Sequence, residues 1–298
     1  RIYFDTPALF ASITNSLSVA ISFTPNDSKD DIIKRLKNSG LANKLSMIFI
    51  ETPANPTNAL IDIEMCKSIA DLYSSMDQKV YLAVDNTYMG PLWQHPLKHG
   101  ADFALYSATK YIGGHSDVIA GACCGSNEVI SRVKVLRTFL GNMAAPQTGW
   151  LLMRSLETLK IRMEQQASNA QKVAEYLDRH EKVEKVYYLG LIKENTEAYR
   201  IYQNQYDSPG AMLSFDIKGG EKEAFKFIDS LKLIKLAVSL GGTESLVEHP
   251  DTMTHAGVDP KHRKELSITE KLIRISIGVE NDQDLIWDIE QALEKVEI

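Results

Sequence analysis

The stretch Val80-Tyr81-Leu82-Ala83-Val84-Asp85-Asn86-Thr87-Tyr88 joins an uninterrupted apolar run to a cluster of polar residues. Short apolar runs of the same kind lie before and after it in the sequence. Residues 61–73, which precede this stretch, carry apolar side chains at helical spacing. Strands covered by helices on both faces of a mostly parallel sheet have this unalternating pattern. The neighbouring runs are Ser46–Glu51, Ala101–Leu105 and Ile119–Gly125. Together they predict an α/β domain.

The C-terminal half of the chain has a different pattern. The apolar spacing over Gln147–His180 predicts one long helix or two in tandem. Beyond it the sequence predicts strands and helices in the order of an α+β layer. The predicted strands are Val183–Tyr188, Ala211–Ile217, Leu236–Leu240 and Leu272–Ile277, and the predicted helices are Lys222–Leu231 and Asp282–Val296. We therefore expect an α/β domain over residues 1–160 and a smaller α+β domain over residues 161–298.

Composition excludes several classes of protein. The 298 residues are 44% hydrophobic and 24% charged, which is typical of a globular chain with room for two modest cores. No apolar stretch approaches the roughly 18 residues that a membrane helix needs. With 33 basic and 39 acidic residues the net charge is -6, which gives no footprint for nucleic acid or anionic lipid. A small-molecule ligand is the expected partner.

The cysteines favour a reducing compartment. Cys66, Cys123 and Cys124 are too few for a disulfide framework. Cys123 and Cys124 lie in an apolar run flanked by glycine, which predicts a buried strand. A cytoplasmic location is the expectation that follows.

Lys110 is the first candidate for chemistry, because it follows a predicted strand end, where open α/β sheets bind ligands. A solvated loop lysine is the alternative interpretation. Ser107 and Thr109 are two residues apart, so in an extended backbone both hydroxyls would face one phosphate. A lysine beside a phosphate can form a Schiff base with an aldehyde cofactor, and this combination suggests pyridoxal phosphate.

Two further polar residues at predicted strand ends suit that cofactor. Asp85 would be a desolvated carboxylate near the ring nitrogen, which must stay protonated for the ring to withdraw electrons. A turn or cap aspartate is the alternative. Asn55 lies in the turn-prone segment Glu51–Pro56, where it either shapes the turn or donates to the phenolic oxygen of the cofactor.

Arg274 stands inside the apolar run Leu272–Ile277, where burying a guanidinium is costly unless it meets an anion. Its planar fork matches an α-carboxylate. The alternative is the exposed face of an edge strand, which the alternation with Ser276 would allow. Ser239, at the start of Ser239–Gly242, would add a wall to the same carboxylate pocket.

Metal and dinucleotide sites are not predicted. The seven histidines lack metal-ligand spacing, and His249 and His255 are as easily explained by loop packing. Gly113-Gly114 and Gly241-Gly242 lack the strand, turn and helix context of a dinucleotide fingerprint.

Five ordered motifs resemble the pyridoxal-phosphate enzymes of cysteine and methionine metabolism. This family comprises the cystathionine lyases and synthases, methionine γ-lyase and the homoserine sulfhydrylases. The motifs are Glu51–Pro56, Asp85–Thr87, Tyr106–His115, Ser239–Leu246 with Met253–His255, and Arg274–Gly278. The resemblance implies an aspartate-aminotransferase-like, fold type I architecture with pyridoxal 5'-phosphate as cofactor.

The resemblance also implies roles at the cofactor. Lys110 would be the Schiff-base lysine and general base, and Asp85 would pair with the pyridine nitrogen. Ser107 and Thr109 would hold the phosphate, and Asn55 would contact the phenolic oxygen and help to bind the substrate.

By the same resemblance Arg274 would bind the substrate carboxylate with help from Ser239, and Tyr3 would stack on the cofactor ring and serve as an acid. The family has Tyr-Gly-(Gly or Cys)-Thr where this sequence has Tyr3-Phe4-Asp5-Thr6. Family members also extend further at the N-terminus, with a phosphate-binding turn and a Tyr-x-Arg pair that reaches the neighbouring subunit. We therefore expect an N-terminally incomplete member of the family that forms homodimers or homotetramers with shared active sites.

Val238 bears on the choice among family members, because the cystathionine γ-lyases and γ-synthases tend to carry glutamate there. An apolar residue favours a neutral thioether tail by roughly 1 to 3 kcal/mol of desolvation. We expect a carbon–sulfur lyase that acts on methionine or cystathionine. A transferase that uses O-acyl-homoserine and a chain without cofactor or activity are the alternatives.

Overall fold

A computed structural model describes residues 19–298. Its first half contains a four-stranded sheet in the order β1-β2-β3-β4, in which β1, β2 and β3 are parallel and β4 is antiparallel to β3. The strands are β1 Met47–Glu51, β2 Tyr81–Asp85, β3 Phe103–Ser107 and β4 Gly121–Gly125. The α/β prediction is confirmed for this half of the chain.

Strand β4 differs from the prediction at its two cysteines. Among residues 19–298 it lies at the edge of the sheet and pairs only with β3. Cys124 is exposed and Cys123 only partly buried, whereas Cys66, on the helix between β1 and β2, is fully buried. The prediction of a buried strand was wrong at Cys124.

Helices pack on the sheet and continue the chain into its second half. They are α1 Lys29–Asn38, α2 Ile63–Tyr73, α3 Gly90–Trp93, α4 Asn127–Leu140, α5 Pro146–Leu156 and α6 Leu159–Asp178. Asp62 caps the N-terminus of α2, and its side chain accepts from the backbone N–H groups of Glu64 and Met65. Its buried face, with Ile63, Cys66 and Ile69, packs into one apolar cluster with the strands.

The stretch predicted as one long helix or two in tandem is two helices, α5 and α6. Arg162 holds the junction between them. Its guanidinium donates to the carbonyls of Ser155 and Tyr111, and its Nε donates to the hydroxyl of Thr158. A charged side chain is tolerated in this buried place because its hydrogen bonds are made.

A five-stranded sheet in the order β5-β6-β9-β8-β7 forms the second half. Its strands are β5 Val183–Tyr187, β6 Met212–Ile217, β7 Lys235–Leu236, β8 Leu246–Glu248 and β9 Leu272–Ser276, with helices α7 Glu197–Gln205, α8 Glu221–Ser230, α9 Pro260–Glu265 and α10 Asp282–Glu294. The predicted strand Leu236–Leu240 was wrong in extent. The chain leaves the sheet after Leu236 and turns at Gly241, whose φ is 74°.

Hydrogen bonds join the two sheets. The side-chain amide of Asn58 donates to the carbonyls of Tyr187 and Met212, and the hydroxyl of Ser214 donates to the carbonyl of Pro56. The segment after β1 is therefore fixed against β6. The division into domains near residue 160 stays a prediction. Within residues 19–298 no helix is long and apolar enough to cross a membrane.

Candidate active site

The carboxyl ends of β1, β2 and β3 lie side by side. Glu51 and Asp85 are paired in register as the last residues of β1 and β2, and β3 ends at Ser107. Lys110 follows three residues later in a turn. The polar residues predicted at the strand ends therefore lie at one edge of the sheet.

Lys110 is held close to the second half of the chain. Its Nζ donates to Ser239 Oγ at 3.2 Å. Burial, followed by the positive charge of Arg274, lowers the pKa of Lys110 to about 8, against the opposing effect of Glu248. A larger share of this amine is therefore neutral and nucleophilic near neutral pH than in an ordinary lysine.

Asp85 is a buried carboxylate, 8% exposed. Its Oδ1 accepts from the backbone N–H of Thr87 at 3.0 Å, and the hydroxyl of Thr87 accepts from the backbone N–H of Ser107 at 2.8 Å. Burial raises the pKa of Asp85, and hydrogen bonds from Thr87 oppose it. Burial and the negative charge of Asp85 raise the pKa of Glu51 well above its usual range. A cation placed beside Asp85 would meet a desolvated partner.

Ser107 and Thr109 do not share an extended backbone as predicted. Ser107 is the last residue of β3, whereas Thr109 lies in the following turn. The Thr109 hydroxyl accepts from the backbone N–H of Ala120 at 3.0 Å and donates to its carbonyl at 3.3 Å. That part of the reasoning was wrong, because the chain turns at the strand end to bring Lys110 into the cleft.

Arg274 lies on a central strand, since β9 runs between β6 and β8. The prediction that Arg274 could lie on an edge strand is thus wrong. The guanidinium of Arg274 donates to Asn55 Oδ1 at 2.9 Å and to the carbonyls of Ser239 at 3.1 Å and Val238 at 3.3 Å. It also pairs with Glu248, 2.7 Å from Nη1 to Oε1. The buried arginine meets an anion, and in this structure the anion is the protein's own carboxylate.

Asn55 has a defined orientation. Its Oδ1 accepts from both Arg274 and the hydroxyl of the buried Tyr88. With the carbonyl oxygen occupied by two donors, the side-chain nitrogen is the end left to donate elsewhere. The structure thus brings Asn55, Ser239, Arg274 and Lys110 together through direct hydrogen bonds.

Gly241 lets the Ser239 loop approach the Lys110 turn. A Cβ at this position would lie 2.8 Å from the backbone nitrogen of Tyr111. With its positive φ, the position accepts glycine far better than any other residue. The backbone N–H of Gly241 also donates to the hydroxyl of Ser276, which fixes the loop to β9.

The remaining sequence predictions have separate outcomes. Tyr3 lies outside the described residues. His249 contacts the hydroxyl of Thr252 and the carbonyl of Glu270, as loop packing requires. No group of three potential metal ligands lies together in the described part of the chain.

Sequence reasoning missed Tyr88, Glu248 and the raised pKa of the half-buried Glu51. The only signal for Glu248 was a charged residue next to the apolar pair Leu246-Val247 in a run too short to be recognised as a strand. The signal for Tyr88 was weaker still, because an aromatic residue after a strand is usually part of the core.

The donor set fits pyridoxal phosphate. It supplies an amine of lowered pKa for the aldehyde, a desolvated carboxylate for the ring nitrogen, an oriented amide donor and hydroxyls at the strand end. Fold and site together are those expected of an enzyme that uses an aldehyde cofactor.

The family comparison agrees. The family model for the Cys/Met metabolism PLP-dependent enzymes matches residues 1–294. The chain belongs to this family, and it is a pyridoxal-phosphate-dependent enzyme of cysteine and methionine metabolism.

Individual relatives match nearly the whole chain. It is 37% identical over 297 residues to an L-methionine gamma-lyase of Fusobacterium nucleatum subsp. polymorphum, covering 99% of this chain and 72% of the relative. It is 39% identical over 296 residues to a cystathionine gamma-lyase of Bacillus subtilis (strain 168), and this match covers 99% of this chain and 75% of the relative.

A solved structure confirms the predicted fold class. The crystal structure of cystathionine gamma synthase from Xanthomonas oryzae pv. oryzae in complex with cystathionine superimposes with a TM-score of 0.88 at 34% identity. The match covers 99% of this chain and 73% of that one. The architecture is fold type I.

Proposed function

We propose that the protein is a carbon–sulfur lyase that acts on a sulfur amino acid, methionine or cystathionine, and releases a thiol, ammonia and a 2-oxo acid. The observation that carries this proposal is the Lys110 amine, whose pKa is lowered to about 8 within hydrogen-bond distance of Ser239 and close to Arg274. This amine is fit both to hold an aldehyde cofactor and to move a proton.

We assign the cofactor contacts residue by residue. Lys110 binds the aldehyde, Asp85 pairs with the ring nitrogen, and Asn55 donates to the phenolic oxygen. Ser107 and Thr109 bind the phosphate. When bound, pyridoxal phosphate supplies an electron sink that stabilises negative charge at the α-carbon.

The chain's own groups perform the remaining steps. Arg274, with Ser239 and Asn55, binds the substrate carboxylate and orients the α-hydrogen. The Lys110 amine, once released, removes the α-proton as general base and returns it later in the reaction. Tyr3, outside the described residues, is the proposed stacking partner and the acid that protonates the departing thiolate.

Val238 supports the choice of a lyase for a neutral thioether. Its side chain is 53% exposed at the start of the loop that carries Ser239. It provides no charge for the distal amino-acid head of cystathionine. A relative named L-methionine gamma-lyase agrees with this choice.

A transferase that uses O-acyl-homoserine is the second candidate, and the match to a cystathionine gamma synthase favours it. It would share every residue named above and differ by forming cystathionine or homocysteine without net ammonia. A non-catalytic chain that does not bind the cofactor is the third.

We also propose that two or more copies of the chain assemble. Helices α4 and α5 and the turn between them expose large apolar side chains that a second copy would cover. They are Val135, Leu136, Phe139, Leu140, Met143, Trp150, Met153 and Leu156. A homodimer or homotetramer with shared active sites is the expected state, and a cytoplasmic location likewise stays a prediction.

The test is product analysis of the purified protein with pyridoxal phosphate. Methionine and cystathionine should yield ammonia and a 2-oxo acid, and Lys110→Arg should abolish both products, because it keeps the charge and loses the nucleophile. Lys44→Arg, at an exposed position far from the site in sequence, is the matched control. Turnover only with O-acetylhomoserine plus cysteine would establish the transferase, and no cofactor absorbance would establish the inactive chain.

A further inference from the structure

Arg274 already has an anionic partner inside the protein. Glu248, the last residue of β8, is paired in register with Arg274 on β9, and Oε1 lies 2.7 Å from Nη1. The side chains are 0% and 2% exposed. Glu248 therefore occupies the electrostatic position that a substrate carboxylate would need.

The guanidinium of Arg274 has little donor capacity left. Nη1 donates to Asn55 and forms an ion pair with Glu248, and Nη2 donates to the carbonyls of Val238 and Ser239. Of its three nitrogen atoms, only Nε has no hydrogen-bond partner among residues 19–298. A carboxylate that makes a two-point contact must therefore use at least one Nη group, and there it shares or replaces an existing partner.

Glu248 is the acceptor that is easiest to change. Its Oε1 forms the ion pair with Arg274 and accepts from the hydroxyl of Thr254 at 2.8 Å, while its buried Oε2 has no hydrogen-bond partner in the described chain. A buried carboxylate with one oxygen unsatisfied is costly as an anion and much less costly as a neutral acid. Burial accordingly raises the pKa of Glu248, and Arg274, Thr254 and Lys110 oppose the shift.

The groups around Glu248 come from several elements. Besides Arg274 on β9, Lys110 in the turn after β3 is the second nearby cation. Tyr88, after β2, is close enough for the charge of Glu248 to act on its hydroxyl. His255 follows Thr254, and burial and Arg274 lower its pKa to about 4, so it is neutral at neutral pH.

The carboxyl group of Glu51 is the other acidic neighbour of Arg274. Burial and Asp85 raise the pKa of Glu51, and among residues 19–298 the ion pair of Arg274 is made with Glu248 rather than with Glu51. Glu248 is thus the group that balances the arginine before substrate arrives.

We propose that Glu248 is the resident counter-ion of Arg274 and takes up one proton from solvent when a substrate α-carboxylate binds. The Glu248–Arg274 ion pair then becomes a hydrogen bond between a neutral acid and the arginine, and the incoming carboxylate becomes the counter-ion. No covalent bond changes. The proposal rests on the proposed role of Arg274 in binding the substrate carboxylate.

A distinct pH dependence follows from this exchange. Because binding takes up a proton, KM should rise with pH by up to about tenfold per pH unit while Glu248 is ionised in the free enzyme. kcat should change little through this group. Glu248→Gln removes the charge that must be neutralised, so KM should become nearly independent of pH in that range and be lower at its alkaline end.

The direct test counts protons by titration calorimetry of the cofactor-loaded protein in two buffers of different ionisation enthalpy. L-norleucine serves as a sulfur-free amino acid and pentylamine as the same amine without its carboxylate. The wild type should take up about one proton more with norleucine than with pentylamine. This difference should disappear in Glu248→Gln and persist in the control Glu244→Gln, which changes the residue bonded to Ser116.

The wild-type comparison needs no variant, so it stands even if Glu248→Gln folds poorly. Equal proton counts for the two ligands would overturn the proposal. A different result would show that Arg274 does not bind the substrate carboxylate. In that case Arg274→Lys would weaken the binding of norleucine no more than it weakens the binding of pentylamine. If Glu248 had a purely structural role, Glu248→Gln would have a lower thermal stability, but the difference in proton uptake between norleucine and pentylamine would be the same as in the wild type.

Discussion

The charge state of Lys110 is the most quantitative consequence of the site. Its pKa is lowered from 10.5 to about 8, mainly by burial and then by Arg274. At pH 8 about half of the amine is neutral, whereas an ordinary lysine is about 0.3% neutral, a difference of about 150-fold. We expect this lysine to react with aldehydes and acylating reagents at a pH where other lysines are nearly inert.

Two substitutions should move this pKa in opposite directions. Arg274→Gln removes a neighbouring cation and should raise the pKa of Lys110, while Glu248→Gln removes an anion and should lower it. A general effect of disturbed packing would expose the amine in both variants and raise the pKa in both. The sign of the two shifts separates electrostatics from loosening of the site.

Competitive labelling gives the titration curve. The cofactor-free protein is treated with trace acetic anhydride from about pH 6 to about pH 11, and labelling of Lys110 is measured by mass spectrometry relative to exposed Lys44. Half-maximal reactivity near pH 8 is the expected result. Titration of Lys110 together with Lys44, or shifts of the same sign in both variants, would refute the reasoning.

Three further predictions concern the surroundings of the site. Burial would raise the pKa of Asp62, but hydrogen bonds from Arg200 and the backbone lower it below 3.8. The ionised carboxylate therefore stabilises the fold above that pH, and this stabilisation is lost as the pH falls. The melting temperature of Asp62→Asn should be lower than that of the wild type at neutral pH, and the difference should disappear in acid. Gly241→Ala should destabilise the protein to urea by about 1 to 3 kcal/mol, and an unchanged midpoint would contradict the close approach described. Tyr88→Phe should raise the dissociation constant of the cofactor about 3- to 10-fold by releasing the amide oxygen of Asn55, measured by absorbance titration, with no change expected in overall stability beyond that of one hydrogen bond.

The sequence predicted the positions of Asp85 and Lys110 well, because both depend on local patterns. Each follows an apolar run that ends abruptly in polar residues, and parallel strands bring such ends to one edge. The strand around Arg274 was predicted for the same reason. Its central position in the sheet came only from the structure.

Non-local pairing explains what the sequence did not predict. Strand β8 has three residues, Leu246–Glu248, and exists only because β9 and β7 lie beside it. Glu248 therefore becomes a buried partner of Arg274 through tertiary structure alone. Thr109 was misjudged because a turn, set by its contacts with Ala120, replaces the extended backbone that its spacing from Ser107 suggested.

The proposed chemistry depends on one bond, that between the Lys110 amine and the aldehyde of pyridoxal phosphate. Borohydride reduction of the cofactor-loaded protein makes this bond permanent, and peptide mapping then locates it. The site described here predicts a single labelled peptide in which Lys110 carries the cofactor. A label on any other lysine, or no label on a protein that binds the cofactor, would contradict the account.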